Sequence, residues 1–181
     1  MKTAADILKF WFEDHGPNDW FAAKPEFDAL IASEFGETHA ALARGEGWRW
    51  RTTPMGRLAE IIVLDQFSRQ IYRGKARAFA SDPVALVLAQ EAVAGGHHSF
   101  VPAWPHRTFM LLPYMHAESA EVQAESIRLH MALGNEEVMK HARGHAGCIA
   151  RFGRFPRRNA ALKRESTPEE AEYMASKGGM Y

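Results

Sequence analysis

Apolar residues recur along the chain at the three- and four-residue spacing of an α-helix. Alternating apolar and polar runs, which would indicate half-buried strands, are missing. The stretch that begins at Pro25 is a clear example, because its apolar side chains fall on one helical face. That face consists of Phe27, Leu30, Ile31, Phe35 and Leu42. The pattern predicts an all-α chain.

Helix boundaries are marked by capping residues, prolines and glycines. Thr53-Pro54, Asp82-Pro83 and Thr167-Pro168 each place a proline at the first turn of a predicted helix. A shorter helix is expected from about Trp104 to Leu112 and should stop at Pro113, because proline breaks the hydrogen-bond ladder. The boundaries predict one helical domain of about eight helices over residues 1–176. Residues 177–181 are expected to form a flexible tail.

The third predicted helix carries charge on its apolar side. Asp65 and Arg69 share a face with Ile61 and Ile62, so both should point toward a neighbouring helix. A buried carboxylate needs partners. We therefore expect Asp65 to be buried and bonded to an arginine or histidine of another helix, with residues 151–158 as the expected source. The Asp65/Arg69 pair also fits a purely structural ion pair.

Two histidines lie one turn apart on the helix that ends near Phe152. His141 and His145 could hold a metal, but the Glu of an HExxH motif is absent, and we expect no metal and no cofactor. The next residues, 151–159, interleave four arginines with two phenylalanines. Such a run can bind an anion, stack on aromatic groups or pair with acids of the same chain.

Composition narrows the class of protein. The chain has 181 residues and equal numbers of basic and acidic residues, 22 each, so no overall field attracts nucleic acid or an anionic membrane. Cys148 is its only cysteine, which excludes an internal disulfide and suits a reducing compartment. No segment reads as a signal peptide or a membrane span. The cytoplasm is the expected location.

The titratable residues of three segments form a candidate polar pocket. The residues expected to support proton transfer are Asp65, His116, Glu118 and His145. The residues expected to bind a ligand are Arg69, Arg73, His141, Arg154, Arg158 and Asn159.

The same residues carry a family resemblance over nearly the whole chain. The matching stretches are Ile7–Phe12, Asp65–Gln70, Tyr72–Gly74, Phe79–Asp82, His116–Glu118, His141–His145, Arg151–Asn159 and Ser166–Glu170. In these stretches the chain resembles the bacterial family catalogued as domain of unknown function 924. The resemblance implies an all-α fold similar to tetratricopeptide-like helical arrays, and it implies no activity.

Four positions depart from the pattern of that family. Ser68 and Gln70 stand where the family has proline and asparagine, and Ala117 replaces a serine. Arg157 stands where histidine is common. A mechanism that needs a hydroxyl at 117 or an imidazole at 157 is therefore disfavoured.

Two functions fit these observations. The first is a small-molecule enzyme or binder whose anionic, phosphorylated or carboxylated ligand is held by Arg69, Arg154 and Arg158. The second is a scaffold that binds a peptide or protein in the groove of a helical array. The depth of the binding site distinguishes the two functions, because an enclosed pocket favours a metabolite and an open groove favours a peptide. The run of arginines and phenylalanines is compatible with nucleic-acid binding, but the zero net charge and the lack of a known nucleic-acid-binding module argue against it.

Overall fold

A computed structural model describes residues 1–176 of the chain, and these residues are helical with no strand. The all-α prediction is confirmed, and the expected tail at 177–181 lies outside the described residues. The α-helices are α1 (Ala4–Lys9), α2 (Pro17–Trp20), α3 (Pro25–Ala43), α4 (Pro54–Ile62), α5 (Ser68–Ile71), α6 (Asp82–Ala94), α7 (Thr108–Met115), α8 (Ala120–Met131), α9 (Glu136–Phe152), α10 (Asn159–Leu162) and α11 (Pro168–Ala175). Eight of these exceed four residues, which matches the predicted number.

A continuous central helix organises the core. It consists of α4, a π-helical segment at Val63–Phe67 and α5. α1, α6 and α7 pack against α4, so most of its apolar side chains are buried. The fully buried residues of this helix include Leu58, Ile61, Ile62, Leu64 and Phe67. Any polar group on the same helix is consequently held in a rigid, largely dry environment.

The helix boundaries follow the capping signals in the sequence. Thr53 caps α4 by accepting a hydrogen bond from the backbone N–H of Gly56, and Ser119 caps α8 in the same way. Thr167 and Glu170 form a capping box at the start of α11. Gly153 ends α9 with a φ of +69°, a left-handed conformation that favours glycine.

The predicted stop at Pro113 is wrong. α7 begins at Thr108 and continues through Pro113 to Met115, and Trp104 has an extended backbone outside it. All eight residues of α7 are buried, so tertiary packing outweighs a proline cost of roughly 3 kcal/mol. The N–H of His116 still donates to the carbonyl of Leu112, so the ladder resumes after the proline.

No helix within residues 1–176 combines the length and the apolar character needed to cross a lipid bilayer.

Candidate functional site

Asp65 and His116 form the centre of the site. Asp65 lies on the π-helical segment and is 1% exposed, and its Oδ1 is 2.7 Å from Nδ1 of His116 at the end of α7. Gln66 donates to its other oxygen, Oδ2. Nη1 of Arg69 donates to the Asp65 carbonyl at 2.6 Å and lies 3.2 Å from Oδ1. The prediction of a buried Asp65 bonded to another helix is confirmed, but its partner is His116 and not a residue of 151–158.

The protonation states follow from these contacts. Burial alone would raise the pKa of Asp65, but the charge of Arg69 and the bond from His116 outweigh it and hold that pKa below its ordinary range. Burial lowers the pKa of His116, with Arg69 acting in the same direction and Asp65 opposing it. His116 is therefore neutral near pH 7. Because Asp65 is ionised, Nδ1 of His116 carries the proton and Nε2 keeps its lone pair.

The loop that carries His116 is fixed from the next helix. Gln123 of α8 is buried, and its side-chain amide donates to the carbonyls of Met115 at 2.7 Å and Ala117 at 2.9 Å. These bonds satisfy carbonyls at the end of α7 that have no helical partner. The imidazole is thus held from both sides, by Asp65 at Nδ1 and by Gln123 through the backbone.

Asp82 joins two arginines beside His116. Its carboxylate accepts hydrogen bonds from Arg69 at 3.0 and 3.1 Å and from Nη1 of Arg158 at 3.0 Å. Arg158 also donates to the carbonyl of His116 at 2.8 Å. Both guanidinium groups lie over the ring of Phe79, at 5.8 Å for Arg69 and 4.7 Å for Arg158. In the sequence, Asp82 stands at a predicted helix start and in a stretch that resembles the family, but it is not among the predicted site residues.

His145 brings α9 to the site. Its ring lies 5.8 Å from that of His116, and its Nδ1 is 2.9 Å from the carbonyl of His141. Burial, followed by the neighbouring His116, lowers the pKa of His145 to about 3, so this imidazole is neutral near pH 7.

His141 lies elsewhere. Its side chain is 45% exposed and is 3.8 Å from a carboxylate oxygen of Glu137. The inward position expected from helical spacing is wrong for this residue. α9 buries Val138, Met139 and Ala142, and His141 is at the edge of that buried face.

Arg154 and Asn159 serve the C-terminal segment of the fold. Arg154 donates to both carboxylate oxygens of Glu170, at 2.7 and 2.9 Å, and the Asn159 amide donates to the same carboxylate at 3.1 Å. These bonds, with the backbone of Thr167, lower the pKa of Glu170 to about 2. The contacts tie the start of α11 to residues 154–159, which is a structural use of two residues expected to bind a ligand.

Glu118 is held in a similar way. It accepts the backbone N–H of Phe155 at 2.7 Å and two hydrogen bonds from Arg164, at 2.7 and 2.9 Å. Burial alone would raise the pKa of Glu118, but these bonds outweigh it and lower that pKa. Glu118 is therefore ionised and paired, which suits anchoring better than proton transfer. Arg164 was not among the residues singled out from the sequence.

Three neighbouring clefts share His116. The apolar cleft, about 390 Å³, has mainly apolar walls. The arginine cleft, about 230 Å³, is lined by arginine and ring side chains, and the outer cleft, about 190 Å³, lies beside α2. The apolar walls are Phe79, Ala80, Pro83, Leu86, Pro113 and Leu162. The arginine cleft comprises Arg69, His116, His145, Phe155, Arg157 and Arg158, with Phe79 shared. The outer cleft includes Trp20, Phe21, Gln66, Arg69, Arg73 and His116.

The remaining expected ligand residue is Arg73, which lies at the outer cleft. Its guanidinium is paired with both carboxylate oxygens of Asp28, at 2.5 and 2.7 Å. Cys148 lies apart from the three clefts with its Sγ 3.7 Å from the Arg154 carbonyl, and burial raises its pKa, which disfavours the thiolate. Within residues 1–176, no three histidine, cysteine or acidic side chains are placed to hold a metal ion.

Comparison with known proteins gives a family and a similar structure. Residues 7–178 match the family described as "Bacterial protein of unknown function (DUF924)". None of the curated proteins matches the chain. Among solved structures, "Structure of Protein of Unknown Function ATU0120 from Agrobacterium tumefaciens" is 40% identical, with a TM-score of 0.89. The similarity covers 95% of this chain and 96% of that one.

Proposed function

The chain belongs to the bacterial DUF924 family, whose description assigns no activity, and from the site itself we propose that it is a small-molecule enzyme acting on an anionic substrate. His116 is its general base. The observation that carries the proposal is the 2.7 Å bond between buried Asp65 and a neutral His116 at the meeting point of three clefts.

The Asp65–His116 pair has the arrangement used for general-base catalysis. Asp65 accepts a hydrogen bond from the Nδ1–H group of His116, so Nε2 is free to take a proton from a water or hydroxyl group. Nε2 makes no hydrogen bond to any residue of the described chain. When Nε2 gains the proton, the charge of Asp65 stabilises the imidazolium. Gln66 and Arg69 keep the carboxylate oriented.

Charge in the arginine cleft favours an anion. Arg69 and Arg158 share the carboxylate of Asp82, and Arg69 also pairs with Asp65. Both histidines of the cleft are neutral. Burial and the adjacent charge of Arg69 lower the pKa of Arg158, so its positive charge is incompletely stabilised. A bound carboxylate or phosphate would supply the missing negative charge.

The reaction class that fits is hydrolysis. The potential nucleophiles in the described walls are engaged, because the Ser119 hydroxyl caps α8 and the carboxylates of Asp82 and Glu118 are paired with arginines. Water therefore attacks the electrophilic carbon or phosphorus and gives its proton to Nε2 of His116. The bond to the leaving oxygen then breaks, and His116 returns the proton to that oxygen. The arginines hold the anionic group and the developing negative charge.

The test is hydrolysis of a panel of 4-nitrophenyl phosphate and carboxylate esters by purified protein. We expect His116→Gln to lower kcat/KM about 100-fold or more for the ester that is cleaved. His97→Gln, on a 3₁₀ turn outside the three clefts, is the control and should leave the rate unchanged. Equal rates for wild type and His116→Gln would refute the role of His116.

A peptide-binding scaffold, as in tetratricopeptide-like arrays, is the alternative. The observation in its favour is that the three clefts adjoin one another and that Phe21 at the outer cleft is 65% exposed. A scaffold would bind a peptide without turnover, and its binding would survive His116→Gln. A cytoplasmic location would suit either function, because Cys148 is a single buried thiol.

A further inference from the structure

The apolar cleft adjoins the arginine cleft and shares three residues with it. Phe79, His116 and Arg158 line both. Its volume of about 390 Å³ lies within the range of small-molecule pockets, roughly 300–1,000 Å³. Its walls come from α6, α7 and α10, so they are formed by packed helices.

Most polar groups of the apolar cleft already have hydrogen-bond partners. Both oxygens of Glu118 are bound by Arg164, and the hydroxyl of Ser119 caps α8. Arg158 has five N–H donors, and the hydrogen bonds to Asp82 and to the His116 carbonyl use two of them. Nε2 of His116 also remains available. Arg158 and His116 line both clefts, so a ligand in the apolar cleft finds these open polar partners where the arginine cleft adjoins it.

The chemistry of the two clefts is complementary to an amphiphile. Leu86, Pro113 and Leu162 can cover a hydrocarbon group but can form no side-chain hydrogen bond with it. Arg69 and Arg158, whose guanidinium groups lie over the Phe79 ring, can hold an oxyanion in the adjoining arginine cleft. His116 lies at the boundary between the two.

We propose that the substrate is an oxyanion that carries an alkyl or acyl group, with the anion in the arginine cleft and the chain in the apolar cleft. This inference rests on the proposed function, because it assumes that the anion binds at Arg158. Beyond the proposed function, it assigns the apolar part of the substrate to the apolar cleft. The bond that joins the anionic and apolar parts then lies beside Nε2 of His116.

The test uses methyl, butyl and octyl phosphate as probes, with binding measured by calorimetry. Burial of one CH₂ group contributes about 0.8 kcal/mol, so each added methylene should tighten binding about fourfold until the cleft is full. Leu86→Trp fills the apolar cleft and should abolish this dependence while methyl phosphate binds as before. Val87→Trp, on the same helix but 55% exposed, is the matched control and should bind like wild type.

Ala80→Leu is a second variant that fills the apolar cleft, in case Leu86→Trp fails to fold. Ala80 lies at the end of a short 3₁₀ turn and not within α6. Equal affinity for all three phosphates in wild type would overturn the inference and leave the anion site intact. Chain-length dependence that persists in both filling variants would also overturn it. Failure of every probe, methyl phosphate included, would instead contradict the proposed function.

Discussion

Asp65 shows how one side chain stabilises the fold and organises the site. It is a fully buried carboxylate whose oxygens are bonded to His116, Gln66 and Arg69. A buried charge is tolerated only when it is paired and hydrogen-bonded. The same contacts set the tautomer of His116, so stability and chemistry depend on one group.

Replacement of Asp65 by alanine should destabilise the protein. The change leaves Arg69 with Asp82 as its remaining carboxylate and removes the acceptor for His116. Breaking a buried pair costs about 3–5 kcal/mol, and we expect the lower end of that range because Asp82 remains. Urea unfolding monitored by circular dichroism measures the loss.

Asp28→Ala is the matched control for that measurement. It removes the partner of Arg73, whose side chain is 47% exposed, so the loss should stay under about 1 kcal/mol. Equal losses of unfolding free energy for Asp65→Ala and Asp28→Ala would show that the buried Asp65 pair stabilises the fold no more than an exposed pair does.

At the scale of elements, the sequence predicts what depends on neighbours along the chain. The helix starts at Thr53 and Thr167 can be predicted because a capping side chain bonds a backbone group three residues away. The continuation of α7 through Pro113 cannot be predicted in this way, because burial of the whole helix decides it.

The site was predictable in part, and the missing residues have a common cause. Asp65, Arg69, His116 and Arg158 were named from helical spacing or from the family resemblance, and the structure brings them together. The bond from Arg158 to Asp82 spans 76 residues, and the bond from Arg164 to Glu118 spans 46. No local pattern specifies such partners. Only the packing of α6, α7 and the C-terminal segment reveals them.

The π-helical segment at Val63–Phe67 also lay beyond sequence reasoning. The expected face assumed a regular α-helical period through Asp65. A π turn inserts extra backbone into a helix and changes the direction of the residues that follow, and such turns are frequent at functional sites. Here the turn contains Asp65, which bonds to the end of α7 and not to the arginine run after α9.

At the scale of the molecule, several histidines are buried in neutral form. Burial, followed by the charge of Arg77, lowers the pKa of His39 to about 4, and burial lowers that of His130 to about 4 as well. His145, with its pKa of about 3, behaves in the same way. The folded protein therefore resists protonation at pH values where the unfolded chain, with histidine pKa values near 6.5, accepts protons.

This difference in histidine pKa predicts that the protein loses stability at pH values well above those at which carboxylates titrate. Stability from these histidines is fully present above about pH 6.5 and falls as the pH drops toward 4, because only the unfolded state binds protons in that window. At pH 5 the loss should reach up to about 2 kcal/mol for each histidine. Urea unfolding at pH 7 and pH 5 measures it, and His145→Gln should show a smaller loss than wild type. Constant stability between these pH values would contradict the assignment of neutral buried histidines.

Asp65 holds His116 as a neutral base whose Nε2 meets the ligand. Side-chain nitrogen NMR of ¹⁵N-histidine-labelled protein, with and without butyl phosphate, tests this role of His116 most directly. We predict that near pH 7 His116 carries its proton on Nδ1, that Nε2 is unprotonated, and that butyl phosphate shifts the Nε2 signal. A doubly protonated His116, or a Nε2 signal that stays unchanged while butyl phosphate binds, would contradict the account.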